Sequence, residues 1–153
     1  MSGMMTIRPA EEKDCGIILE FIRGLAEYER MSDQVVATED LLREWIFEKK
    51  KAEVLFVCED GKEVGIALFF HNFSTFLGRA GIYLEDLFVF PEYRGKGYGS
   101  QGLDLLLTAA KENGIHILYD DMAIDNPARK LFLQHGFSEE YRTEEIIMLK
   151  REL

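Results

Sequence analysis

One stretch constrains the fold more than any other. A long, mostly apolar run from Ile82 to Phe90 leads straight into Pro91-Glu92-Tyr93-Arg94-Gly95-Lys96-Gly97-Tyr98-Gly99. A segment from about Ser100 to Glu112 follows, with Leu103, Leu106, Leu107 and Ala110 at helical spacing. This reads as a strand that feeds a helix through a glycine-rich loop. The first N–H groups of a helix have no partner within it, and that end carries partial positive charge. Glycines just before it let the backbone curl close around an anion. Arg94 and Lys96 add two cations, so the loop suits a phosphate or pyrophosphate.

Several loops share that chemistry. Gly97-Tyr98-Gly99-Ser100-Gln101-Gly102 matches the dinucleotide fingerprint G-x-G-x-x-G, which would make the chain a nicotinamide or flavin binder. However, only about 50 residues follow it, too few for a doubly wound domain. A Walker A loop fails because no Gly-Lys-Ser/Thr ends the run. There remain a pyrophosphate loop of the form Arg-x-x-Gly-x-Gly and a tight turn whose glycines only solve packing.

The rest of the chain supplies the layers. Thr6–Arg8 reads as a short strand ended by Pro9. Glu11–Tyr28 reads as a helix with Ile17, Ile18, Phe21, Ile22, Leu25 and Tyr28 on one face. Thr38 is placed to N-cap a second helix that buries Leu41, Leu42, Trp45 and Ile46. Val54–Cys58 and Val64–Phe70 read as a hairpin turning at Asp60-Gly61. Ile115–Ala123 reads as a strand, Asn126–His135 as a short helix and Thr143–Lys150 as a last strand. Strands and helices mix in the order β-α-α-β-β-β-α-β-α-β. The expectation is an α/β (α+β) fold with a central mixed sheet.

Composition narrows the function. The 153 residues are 47% hydrophobic and 30% charged, which suits one globular domain rather than a disordered chain. Residues 1–4 are set apart as a disordered start, and 5–153 are read as the domain. The net charge of −10 argues against nucleic acid and against an anionic membrane surface, and leaves room for a cationic partner. No apolar run approaches the ~20 residues of a membrane span. Cys15 and Cys58 read as buried thiols in a reducing cytoplasm. His71, His116 and His135 are too scattered for a metal site, and none is expected.

Arg94-Gly95-Lys96-Gly97-Tyr98-Gly99 resembles the coenzyme A pyrophosphate loop of the GNAT acetyltransferases. The element order resembles that fold over residues 5–150, with its central, mixed, mostly antiparallel sheet flanked by helices. Asp125-Asn126-Pro127-Ala128, with Leu131-Phe132 and Gly136-Phe137, resembles the segment that flanks the coenzyme's pantetheine arm. Ile7-Arg8-Pro9-Ala10, Asp14-Cys15, Leu25-Ala26-Glu27-Tyr28-Glu29 with Met31, and Tyr83-Leu84-Glu85-Asp86 resemble the spermidine/spermine N-acetyltransferases and their thialysine-acetylating relatives. The resemblance implies acetyl transfer from acetyl-CoA to a primary amine of a small cationic substrate, in a cytoplasmic homodimer. It places acetyl-CoA on the backbone of Leu87, Phe88 and Val89, on Arg94, Gly95, Lys96, Gly97, Tyr98, Gly99 and Ser100, and on Asp125, Asn126, Ala128 and Phe132.

An alkylammonium has a pKa near ~10.4, so its proton must be removed before it can attack a thioester. Glu85 is the candidate base. Two carboxylates in an otherwise apolar strand need a partner or a task. Asp86 points to the opposite face if the strand is regular there. The resemblance makes Glu27, Tyr28, Glu29, Glu85 and Asp86 the amine's contacts. The chain departs from the family at Phe132, where the polyamine enzymes carry a tyrosine that protonates the leaving thiolate. Either the thiolate leaves unprotonated, or Tyr119 or Tyr98 substitutes, or the chain is a catalytically weak acyl-CoA-binding module. A second departure inserts Asp120 and Asp121, which either reshape the amine pocket or sit at a solvated strand end, the latter being preferred.

Overall fold

A computed structural model describes residues 3–122, 126–139, 149 and 151–152. They fall into two compact units, 1–121 and 122–153. The first holds a five-stranded sheet in the order β1-β2-β3-β4-β5. These strands are β1 (Met5–Pro9), β2 (Glu53–Glu59), β3 (Lys62–Ser74), β4 (Arg79–Val89) and β5 (Leu118–Tyr119). The first four pair antiparallel, and β4 pairs with β5 in parallel. The sheet is therefore mixed and mostly antiparallel, as the sequence predicts.

The β2–β3 hairpin turns at Asp60-Gly61, both at positive φ, as a tight two-residue turn requires. Met4 joins this end of the sheet: its N–H donates to Asp60 Oδ1, and its carbonyl accepts from the Asp60 N–H. One face of the sheet is covered by α1 (Cys15–Tyr28), entered through a 3-10 turn at Glu12–Asp14 rather than as one helix from Glu11. Ile18 and Phe21 of α1 pack with Val54, Phe56, Cys58, Ile66 and Phe88 of the sheet. Cys15 and Cys58 are buried free thiols.

The second helix, α2 (Glu39–Leu42), has Thr38 Oγ1 accepting from the Leu41 N–H, as expected of its N-cap. It runs on as a π-helix through Arg43–Glu48. The wider turn changes which residues face inward. Ile46 is buried, but Leu41 and Trp45 are exposed, against the four-residue buried face that α-helical spacing predicts. The Lys49 ammonium lies over the Trp45 ring at 4.1 Å. On the other face of the sheet, α3 (Tyr98–Glu112) buries Leu103, Leu106 and Ala110.

Asp14 is the buried charge of this unit, 3% exposed. Its carboxylate accepts from Arg8 Nη1 at 2.9 Å and Nη2 at 3.1 Å, and from the Glu11 N–H at 2.7 Å. Arg8 also donates to Glu63 at 2.6 Å. This network ties β1 and β3 to the start of α1.

In the second unit, α4 (Ala128–Gln134) begins two residues later than expected. Asn126 Oδ1 accepts from the Ala128 N–H at 2.9 Å, and the Phe132 and Phe137 rings pack with centroids 4.9 Å apart. Asp125 and the expected strand at 143–150, except Leu149, lie outside the described residues.

Candidate functional site

β5 is far shorter than the Ile115–Ala123 strand that its sequence suggests. It pairs with β4 only at Ile82↔Leu118 and Tyr83↔Tyr119. From Leu84 to Val89, that edge of β4 has no strand partner among the described residues. The two strands thus fork just beyond Tyr83 and Tyr119.

β4 is irregular at the fork. Leu68 pairs with Asp86 while Phe69 pairs with Leu84, so Glu85 is an extra residue, a β-bulge. Its effect can be followed along both edges. Before the bulge, the Ile82 N–H donates to Ile117 on the β5 side. After it, the Phe90 N–H donates to Val64 on the β3 side. Alternation back from Phe90 turns Asp86 and Phe88 toward β3, and the amides of Leu87 and Val89 outward to the open edge. A regular strand would aim those two amides into the β3 ladder.

The bulge also overturns the expectation that Asp86 points away from Glu85's face. Tyr83 lies opposite Phe70, with the rings stacked at 5.1 Å, and Phe88 lies opposite Ile66. Phe70 and Ile66 share one face of β3, so Tyr83 and Phe88 share a face although they are five residues apart. Asp86, two residues from Phe88, lies on it too. This is the α1 face, and the end of α1 carries Glu27, Tyr28 and Glu29, all exposed. Burial pushes the Asp86 carboxyl up to about 6, with the charges of Glu85 and Glu29 adding to it.

Asp120 and Asp121 continue the chain from β5 at the same fork. Asp120 is half-buried rather than solvated, against the preferred reading of the sequence. Burial is the main cause that raises its carboxyl to about 7. The Asp121 backbone N–H opposes the rise, while the charges of Asp121, Asp86 and Glu85 reinforce it. The Tyr83 hydroxyl donates to Asp121 Oδ2 at 2.6 Å. Burial and this bond hold the hydroxyl well above the usual tyrosine range. Sequence reasoning gave Tyr83 no role, although a hydroxyl inside an apolar strand was the available signal. Among the described residues, no group of three or more His, Cys, Asp or Glu side chains could hold a metal ion.

The glycine loop sits at the other end of the open edge. Gly95 and Gly97 have φ of +78° and +80°, a region that side chains rarely adopt. Gly97 is the N-cap of α3, which therefore begins at Tyr98 rather than Ser100. Lys96 is exposed. Arg94 turns back onto the sheet: its Nε donates to the Val89 carbonyl at 2.9 Å, and its guanidinium lies over the Tyr28 ring at 4.2 Å and the Phe88 ring at 5.0 Å. Tyr28 thereby links the end of α1 to the loop. Tyr98 is corrected as a substitute acid. Its ring is buried, its hydroxyl donates to Glu59 at the far end of β2, and that bond, with burial, raises it to about 12.

Known proteins resemble this chain in sequence and in fold. The profile of the Acetyltransferase (GNAT) family matches residues 18–137. Thialysine N-epsilon-acetyltransferase of Bos taurus is 43% identical over 121 residues, which are 73% of this chain and 71% of that protein. Spermidine/spermine N(1)-acetyltransferase-like protein 1 of Homo sapiens is 35% identical over 112 residues, 65% of this chain but 15% of that longer protein. In structure, an aminoglycoside acetyltransferase from an uncultured soil metagenomic sample, solved with sisomicin, superposes with a TM-score of 0.77 at 16% identity, covering 95% of this chain and 97% of that one. With the family profile matching most of its length, the chain belongs to the Acetyltransferase (GNAT) family.

Proposed function

We propose that the protein transfers acetyl from acetyl-CoA to a primary amine of a small cationic substrate, thialysine-like or polyamine-like, by direct attack in a ternary complex. The observation that carries this reading is the meeting, at one fork, of outward backbone amides with a set of carboxylates. The names of the relatives support the substrate class.

The residues present fit the acyl donor. The open edge of β4 offers the Leu87 and Val89 N–H groups to an extended chain of amides, as an added strand would be received. One of the same donors is placed to polarise a thioester carbonyl. The left-handed turns at Gly95 and Gly97, the first N–H groups of α3 and the Lys96 ammonium suit a pyrophosphate. Acetyl-CoA supplies the activated acyl group. The family resemblance adds Asp125, Asn126, Ala128 and Phe132 to the residues proposed to contact it.

The carboxylates serve the acceptor. Glu85, exposed at the bulge, draws the proton from the attacking ammonium. Asp86, Glu29 and Glu27 hold the cation through charge-assisted hydrogen bonds, with Tyr28 as the wall. Phe132 has no proton to give, so coenzyme A leaves as the thiolate, which a thiol pKa near ~8.5 permits. The domain spans residues 5–153 and works as a homodimer in the cytoplasm.

Thiol release measured with thialysine, spermidine, spermine, L-ornithine and an aminoglycoside tests the reading. Turnover of at least one is expected, and coenzyme A binding without turnover of any would favour a binding module. Glu85→Gln is expected to lower kcat about a hundredfold while the acetyl-CoA Kd is unchanged. Equal loss of both would make Glu85 structural.

A further inference from the structure

Proposed catalysis at Glu85 leaves Asp120, Asp121 and the Tyr83 hydroxyl without a task. The fork geometry gives them one. The last paired residues are Tyr83 and Tyr119, so Asp120 and Asp121 run on level with Leu84 and the Glu85 bulge. Tyr83 is fixed on both sides. Its ring stacks on Phe70, and its hydroxyl holds Asp121 across the fork. A strand end that would otherwise fray is thereby pinned, and Asp120 is kept half-buried beside the bulge.

We infer that Asp120 is the resting place of the proton that the amine gives up, and that Tyr83 and Asp121 are positioning residues that hold it there. This rests on the N-acetyltransferase reading of the site. The ammonium N–H bond breaks with its electron pair kept on nitrogen, and the proton passes through Glu85 to the Asp120 carboxylate. That electron pair forms the C–N bond as the thioester C–S bond breaks onto sulfur. The second nitrogen proton leaves with formation of the neutral amide. Asp120 returns its proton to water, so two protons and a thiolate are released for each acetyl group transferred.

A group that accepts and returns a proton works best when its affinity lies near the working pH. The groups that face Asp120 set it there. Burial and the charges of Asp121, Asp86 and Glu85 raise it to about 7, and the Asp121 backbone N–H opposes them. Glu29, the C-cap just past α1, acts on Asp86 and so on the same cluster. Tyr83 stays protonated and can only donate to Asp121.

The test uses the full chain and whichever of thialysine, spermidine or L-ornithine it acetylates. In the wild type, kcat is expected to rise as pH passes through about 7. Asp120→Asn should remove that limb and lower kcat about a hundredfold, with the acetyl-CoA Kd unchanged. Calorimetry of amine binding in two buffers of different ionisation enthalpy should show a change in proton release between wild type and Asp120→Asn. Asp121→Asn keeps an acceptor for the Tyr83 hydroxyl and removes one raising charge, so the limb should move to lower pH. Tyr83→Phe keeps the ring stack and loses the pin, so kcat should fall and the limb should shift. A wild-type limb and unchanged proton release in Asp120→Asn would overturn the inference while the function stands. An unshifted limb in Tyr83→Phe would remove the positioning role. If the wild type acetylates none of the amines, the functional reading fails, and this inference with it.

Discussion

The crowded carboxylates at the fork should cost the folded protein stability, and the cost should depend on pH. Asp86 and Asp120 rise from 3.8 to about 6 and about 7 on folding. Their folded affinity for protons exceeds the unfolded one, so folding takes up protons between pH 4 and 7. The stability associated with each group is complete below pH 4 and is lost as pH rises through 6 for Asp86 and 7 for Asp120. At about 1.4 kcal/mol for each tenfold in proton affinity, the full shifts correspond to roughly 3 and 4 kcal/mol. Both groups are partly open to water, and each shift includes the same mutual repulsion. About 2 kcal/mol is therefore the working figure for replacing either one. Asp120→Asn keeps the shape and the oxygen that accepts the Asp121 N–H. At pH 8 it should stabilise the fold by about 2 kcal/mol and raise Tm by about 4–8 °C. Below pH 4, where the carboxyl is protonated in both the folded and the unfolded chain, the gain should vanish, and at pH 5 less than half of it should remain. Thermal melts of wild type, Asp86→Asn and Asp120→Asn at pH 5, 6, 7 and 8 give the curve. A gain equal at pH 5 and pH 8, or none at pH 8, would refute the electrostatic account.

Two other changes probe the scaffold. Arg8→Met leaves the buried Asp14 carboxylate with only the Glu11 N–H, and should destabilise the fold by about 3 kcal/mol at neutral pH. Because Arg8 lowers the carboxyls of Asp14 and Glu63, their contribution is present above about pH 4.5 and lost at lower pH. Melts of the variant should therefore show a flatter loss of stability between pH 5 and 3 than the wild type. Gly97→Ala has room for its Cβ, whose nearest neighbour, Gln101 Nε2, would lie at an ordinary 3.6 Å, yet must hold φ at +80°. At about 1–2 kcal/mol of backbone strain, acetyl-CoA binding by calorimetry should weaken roughly five- to thirtyfold, and an unchanged Kd would show that the loop need not keep that turn.

Much of the fold was legible because local chemistry and global placement agree. Thr38 caps α2, Asp60-Gly61 turns the hairpin, and the 3.6-residue spacing of Leu103, Leu106 and Ala110 packs α3. The site was legible as residue types rather than as geometry. In Ile82–Phe90, apolar residues lie on both faces, so alternation carries no phase and the bulge leaves no mark in the sequence. The shortness of β5 was hidden for the opposite reason: Ile115 to Ala123 alternates well enough to read as one strand, although only Leu118 and Tyr119 of its described residues join the sheet. The π-helical turn at Arg43–Glu48 is a tertiary solution, and its residues favour an ordinary helix. Tyr98 was misread because the loop motif draws attention to its backbone, while its ring belongs to the core under α3.

Glu85 also acts as a comma in the strand. Strand pairing reads residues two at a time, and one extra residue changes the beat for everything downstream. Deleting Glu85 would join Leu84 to Asp86 in an unbroken ladder with every other pairing kept, so Leu87 and Val89 would still turn their amides outward and the fork would lose only the carboxylate that the extra residue carries. With Glu85 present, a strand that pairs regularly through it would turn those two amides inward, and only the bulge keeps them outward. A substitution downstream of Glu85 keeps the beat, whereas one residue gained or lost between Asp86 and Val89 would change which amides face outward.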